Sequence, residues 1–180
     1  ISPQEIRDYK LTGCPSAGAC AFLGTAGTMQ CMAEALGLSL PGTALMPATM
    51  RDIFQSAREA GGAIMRLAES GLRPSDILTL AAFRNAIIVH SAIGGSTNAT
   101  LHLPAIAREA GIDLPIELFD EINHRVPHIG NIFPSGRQLT EAFWFAGGVP
   151  MIQWELRDLL DLNVMTVTGH TLGENLEALH

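Results

Sequence analysis

The chain has 180 residues, 47% hydrophobic and 16% charged, with a formal net charge of -7. That length holds one sizeable core, so one domain or a large piece of one is expected. The acidic balance and the lack of any Lys/Arg run argue against a nucleic-acid binder, and Gly, Pro, Arg or His break every apolar run well short of a membrane span.

Helices follow one another along the chain. Small residues lead into an apolar-periodic helix over 27–36, which Gly37 and the Pro41-Gly42 turn bring to an end. Thr49 is expected to cap a long amphipathic helix with Asp52 three residues on. Met50, Ile53, Phe54, Ala57, Gly61, Ile64 and Leu67 recur on one of its faces until Gly71 stops it. Ser75 or Thr79 opens the next helix, 80–93, which is apolar nearly all round and so belongs at the centre of the core. The turn Gly94-Gly95-Ser96-Thr97-Asn98 follows. Ser96 or Thr97 then caps a helix reaching about residue 110, in which Pro104 removes one backbone donor.

Pro115 suits the first turn of a helix ending near His124, and 126–137 reads as irregular. Two helices are expected over 140–146 and 150–162, then a short strand over 165–168. Thr171-Leu172-Gly173-Glu174 has the capping-box pattern for a last helix. The expected class is helix-rich α/β, mostly α-helices with few short strands. Both ends, Ile1 without an initiator Met and His180 directly after a new helix, read as cuts through a longer polypeptide.

Three cysteines without a secretory signal point to a reducing, cytoplasmic setting. Cys20 sits just ahead of Gly24-Thr25-Ala26-Gly27-Thr28, where unpaired N–H groups and the helix dipole favour a thiolate, a metal-bound sulfur or a substrate carboxylate. On the residues alone, Cys20 fits a cluster or metal ligand, a nucleophile, or a buried thiol that packs. The cysteine spacing does not match the close pairs of zinc sites, so this chain supplies one ligand and not a whole site. Cys14, in a turn before Pro15, and Cys31, on an apolar helix face, read as structural.

Gly24, Thr25, Gly27 and Thr28 could cradle a cluster or a carboxylate, or form an ordinary capped turn. Ser96, Thr97 and Asn98 make a second polar nest that lines a pocket or simply caps. His90 and His102 lie among apolar residues as core histidines, and His124, His128 and His170 lie near loops.

The stretches GACAFLGTAGTMQCMAEALGLSLPG and FRNAIIVHSAIGGSTNATLHLPAIAREAGIDL, followed by RVP, PSGR, AGGVP and VTGHTLGENL, resemble the dihydroxy-acid and phosphogluconate dehydratase family in order along nearly the whole chain. The GTAGT wording resembles the sugar-acid branch, which acts on aldonates such as xylonate or arabinonate. The resemblance implies that residues 1–180 form part of an N-terminal, iron-sulfur-binding domain, with the C-terminal barrel domain absent. It implies an iron-sulfur cluster (2Fe-2S or 4Fe-4S) with Cys20 as its last cysteine ligand, and Mg2+ at a motif outside this sequence. Gly24 and Thr25 would lie beside the cluster, with Thr28, Ser96, Thr97 and Asn98 as weaker pocket candidates. The catalytic serine would lie outside this sequence, so the segment alone would be inactive. The implied reaction converts a 2,3-dihydroxy acid to a 2-keto-3-deoxy acid in a homodimer or homotetramer. Its partner is a small sugar acid, with neither nucleic acid nor membrane involved. Two alternatives remain, a cysteine-nucleophile enzyme pairing Cys20 with a histidine and a non-catalytic helical interaction module.

Overall fold

The computed structural model describes residues 1–13 and 17–179. The Cys14 reading therefore lies outside the described residues. At the centre stands helix α5 (Leu80–Ile93). Thr79 caps it, its hydroxyl accepting from the N–H of Ala82 at 3.2 Å, and Gly94 ends it at φ 64, a left-handed turn that favours glycine. Phe83, Ile87, Val89 and Ile93 are fully buried, each contributing about 1.5–3 kcal/mol of apolar burial. The one polar side chain buried within this helix, Asn85, is satisfied twice by the backbone of Asp161, donating to its carbonyl at 2.8 Å and accepting from its N–H at 2.9 Å.

Around α5 pack α2 (Thr25–Ala35), α6 (Ala99–Glu109), α7 (Glu117–Asn123) and α9 (Gly148–Glu155). Helix α8 (Thr140–Phe145) and α10 (Leu172–Leu179) lean on α9. The capping box before α10 forms as expected, with the N–H of Thr171 donating to Glu174 Oε2 at 2.7 Å and the N–H of Glu174 donating to Thr171 Oγ1 at 3.3 Å.

The fold is as expected, mostly α-helices with very little strand. Among the described residues only two isolated bridges occur, Ile132 with Gln138 and Met165 with Thr171. The strand expected over 165–168 is reduced to one of these, because the chain doubles back at Gly169 and the N–H of Val167 is taken by the carbonyl of Gly37. The helix expected over 150–162 stops at Glu155 and continues only as a 3-10 turn, Arg157–Leu159.

Two helices stand apart from this body. Helix α1 (Pro3–Thr12), absent from the expected elements, carries a complete capping box between Ser2 and Glu5 and buries none of its residues. Helix α3 (Asp52–Ser70) ends at Gly71, φ 73, as expected, and the one-turn α4 (Pro74–Ile77) follows it. The start of α3 differs: Arg51 occupies the cap without a side-chain bond, and Thr49 lies in the turn before it. Its apolar face is open rather than packed, with only Ala63 buried and Phe54 78% exposed. No described helix is long and apolar enough to cross a membrane.

Candidate functional site

The segment carrying Cys20 is short and tied down at the cysteine and just after it. The N–H of Thr140 donates to the Ala21 carbonyl at 2.9 Å, and the N–H of Leu23 donates to the Phe133 carbonyl at 2.8 Å. The Thr140 hydroxyl also donates to the Cys20 carbonyl at 3.4 Å. The Cys20 thiol itself is exposed. Cys20 is therefore not part of this chain's core, whereas Cys31 is fully buried and its thiol is pushed well above the usual range by burial first and by Glu34 second.

Helix α2 opens at Gly24 without a side-chain cap, so the N–H groups of its first turn lack partners inside the helix. Beside this end the structure joins the two polar nests that the sequence shows far apart. Thr28, fully buried, accepts from the N–H of Ser96 at 2.9 Å. The Thr25 hydroxyl lies 3.2 Å from that of Ser96 and accepts from the Asn98 amide at 2.6 Å. Ser96 Oγ in turn accepts from the Asn98 N–H at 3.3 Å. Thr97 is not part of the group: its side chain is exposed and its carbonyl serves Thr100. Neither Ser96 nor Thr97 caps α6, where Asn98 takes the cap position without a side-chain bond.

His90 backs the cluster. Its Nε2 lies 3.0 Å from the Ser96 carbonyl, which can only accept, so Nε2 carries the hydrogen. Burial lowers its pKa and outweighs that hydrogen bond, which acts in the opposite direction, so the neutral ring is favoured at pH 7. Gly95 is required here for space, since a Cβ would lie 2.4 Å from the His90 ring. His102, expected in the core, is exposed on α6, because that helix turns only Ala99, Leu103 and Ala107 fully inward. His124, His128 and His170 are exposed. Among the described residues no histidine bonds to Cys20, so the cysteine-histidine couple is not assembled.

A groove of about 670 Å³ lies on the other side of the Cys20 segment. Ala19, Ala21 and Thr140 line it together with the 38–49 stretch and the apolar face of α3. Sequence reasoning missed the opposite wall's main support, Glu34, whose signal was a lone acid inside an apolar helix ahead of Gly37 and the Pro41-Gly42 turn.

The residues present fit one thiolate ligand of an iron-sulfur cluster, since Cys20 is exposed on a backbone held in place and sulfur is the donor such clusters take. Among the described residues no group of three or more His, Cys, Asp or Glu side chains could hold a metal ion, so nothing here fits a Mg2+ site or a whole cluster site.

Residues 1–175 match the family described as Dihydroxy-acid/6-phosphogluconate dehydratase N-terminal. The chain is 43% identical over 178 residues to a dihydroxy-acid dehydratase of Halothermothrix orenii, covering 98% of this chain and 32% of that protein. It is 45% identical over 179 residues to that of Caldicellulosiruptor bescii, again 98% and 32%, and 49% identical over 169 residues to that of Renibacterium salmoninarum, 93% and 30%. The chain thus spans about a third of the length of the curated relatives it matches.

Proposed function

Because this chain belongs to the dihydroxy-acid/6-phosphogluconate dehydratase N-terminal family, we propose that the intact protein is a hydro-lyase converting a 2,3-dihydroxy acid to a 2-keto acid and water. Within it, residues 1–180 form part of the N-terminal domain. The observation that carries the site is the exposed, backbone-anchored Cys20 just ahead of the uncapped start of α2 and its hydroxyl cluster.

Cys20 as thiolate is one ligand of an iron-sulfur cluster, with Gly24 and Thr25 beside it. When bound, such a cluster supplies a Lewis acid toward the departing hydroxyl. The free N–H groups opening α2 favour a carboxylate. Thr25, Ser96 and Asn98 hold one another in a fixed orientation and suit hydroxyl recognition, while Thr28 secures the Ser96 backbone from below. Neutral His90, its Nε2 committed to Ser96, is a support and not a base. Thr97 has no role in this arrangement. Mg2+, the proton-abstracting base and self-association belong to the intact protein.

The names of the relatives favour a dihydroxy acid as substrate. The Gly24-Thr25-Ala26-Gly27-Thr28 wording favours an aldonic sugar acid. Turnover of a short branched 2,3-dihydroxy acid against an aldonate separates the two.

The test is iron and acid-labile sulfide in the anaerobically purified intact protein, native and Cys20→Ala. The expected result is loss of cluster and dehydration in a protein that remains folded, since an exposed thiol contributes little to packing. A variant that keeps its iron and sulfide overturns the assignment of Cys20.

A further inference from the structure

The groove wall opposite α3 is braced from behind by a buried acid. Glu34, on α2 and 5% exposed, gathers the backbone of the turn that follows: Oε1 accepts from the N–H of Gly42 and Oε2 from the N–H of Ala44, both at 2.7 Å. Gln30, also on α2, accepts from the N–H of Leu45 at 3.0 Å, and the Trp144 indole donates to the Gly42 carbonyl at 2.8 Å. These four bonds hold Leu45 at φ 63, a left-handed conformation that costs a residue with a side chain about 1–2 kcal/mol. Thr43, Leu45 and Met46 from this turn line the groove.

Among the described residues no cation acts on Glu34. On its own helix the titratable neighbour is the Cys31 thiol, which is buried and neutral. The small cavity beside it is lined by Ser39 and Pro41 of the turn, Gln153 of α9, Thr166, and Asn175 and Leu176 of α10, none of them charged. An ionised Glu34 thus has backbone N–H partners and no counter-charge.

We propose that Glu34 is the positioning residue of this groove wall, bracing the 41–45 turn against α2, and that its proton sets how firmly the turn is held. The brace arises from this chain's own geometry and stands whether or not the dehydratase reading does. Burial, the larger effect, outweighs the backbone hydrogen bonds and raises the carboxyl to about 7. With the turn opened to water the same carboxyl returns toward its ordinary value of about 4.3. The braced form therefore binds the proton more tightly than the open form. The brace is firmest below the ordinary carboxylate range and slackens as pH rises through about 7.

Amide hydrogen exchange of the 41–45 segment in the intact protein, corrected for intrinsic rates at each pH, tests this. In the native protein, protection of the Gly42 and Ala44 amides falls about tenfold or more as pH rises from roughly 5 to 9. Glu34→Gln stays neutral and offers one acceptor oxygen, so protection falls at one of the two amides and no longer changes with pH. A flat native profile, or the same slope in Glu34→Gln, overturns the proposal. Should Glu34→Gln fail to fold, the carbon-13 shift of the Glu34 carboxyl decides. Titration near 7 together with the native exchange slope supports the brace, and titration in the ordinary range overturns it.

Discussion

Helix α5 buries nine of its 14 residues, whereas α3, with 19, buries only Ala63. Both carry an apolar face and a sound start or stop, but α5 is covered by α2, α6, α7 and α9, while α3 packs extensively against no other described helix. Periodicity states which way an apolar face points. Whether anything covers that face is a separate, tertiary fact. The same contrast holds for α1, well capped by Ser2 and Glu5 yet without a buried residue.

The contrast breaks or holds at single residues, measured by urea unfolding. Phe83→Ala should cost about 3–5 kcal/mol, since a fully buried ring leaves a cavity, while Phe54→Ala on α3 should stay within about 0.5 kcal/mol. Equal losses would mean that α3 is packed after all. Asn85→Ala leaves the Asp161 N–H and carbonyl without their partner, and a loss of about 2–3 kcal/mol is expected.

A pH series sharpens the comparison inside the core. Glu34 has a folded pKa raised to about 7, so the stability it contributes is full below the ordinary carboxylate range and is lost as pH rises through 7. The loss should be no more than about 4 kcal/mol and should vanish in Glu34→Gln. His90 acts in the opposite sense: its pKa is lowered, so its contribution is present above its ordinary value of 6.5 and is lost as pH falls through the depressed one. The smallest effect is expected at Gln153, whose Nε2 is the single buried side-chain atom without a partner among the described residues. Gln153→Met removes that donor at similar volume and should change stability by under about 1 kcal/mol, in the stabilising direction.

Much of the helical order was legible from caps and stops, which are local. Thr79 with the 80–93 run, Gly71, Gly94 and the Thr171-Glu174 box lie where short-range chemistry puts them. The Ser2-Glu5 box is equally local, whereas Thr49, a capping residue by type, lies in the turn before α3 and Arg51 takes the cap position. At the candidate site, the sequence singles out Cys20 and both polar nests, but as separate features.

By itself, then, the sequence determined a helical, acidic chain with a small-residue helix start behind one cysteine, because caps, glycine turns and apolar spacing act over a few residues. Only the tertiary structure decided that Cys20 is exposed and Cys31 buried, that Thr25 meets Ser96 and Asn98 across 71 and 73 positions of chain, and that Thr28 meets Ser96 across 68. It also decided that Glu34 faces inward to brace a turn instead of outward to water. Each of these depends on which helix covers which face, and burial, hydrogen-bond partners and proton affinity are properties of that packing rather than of any residue alone.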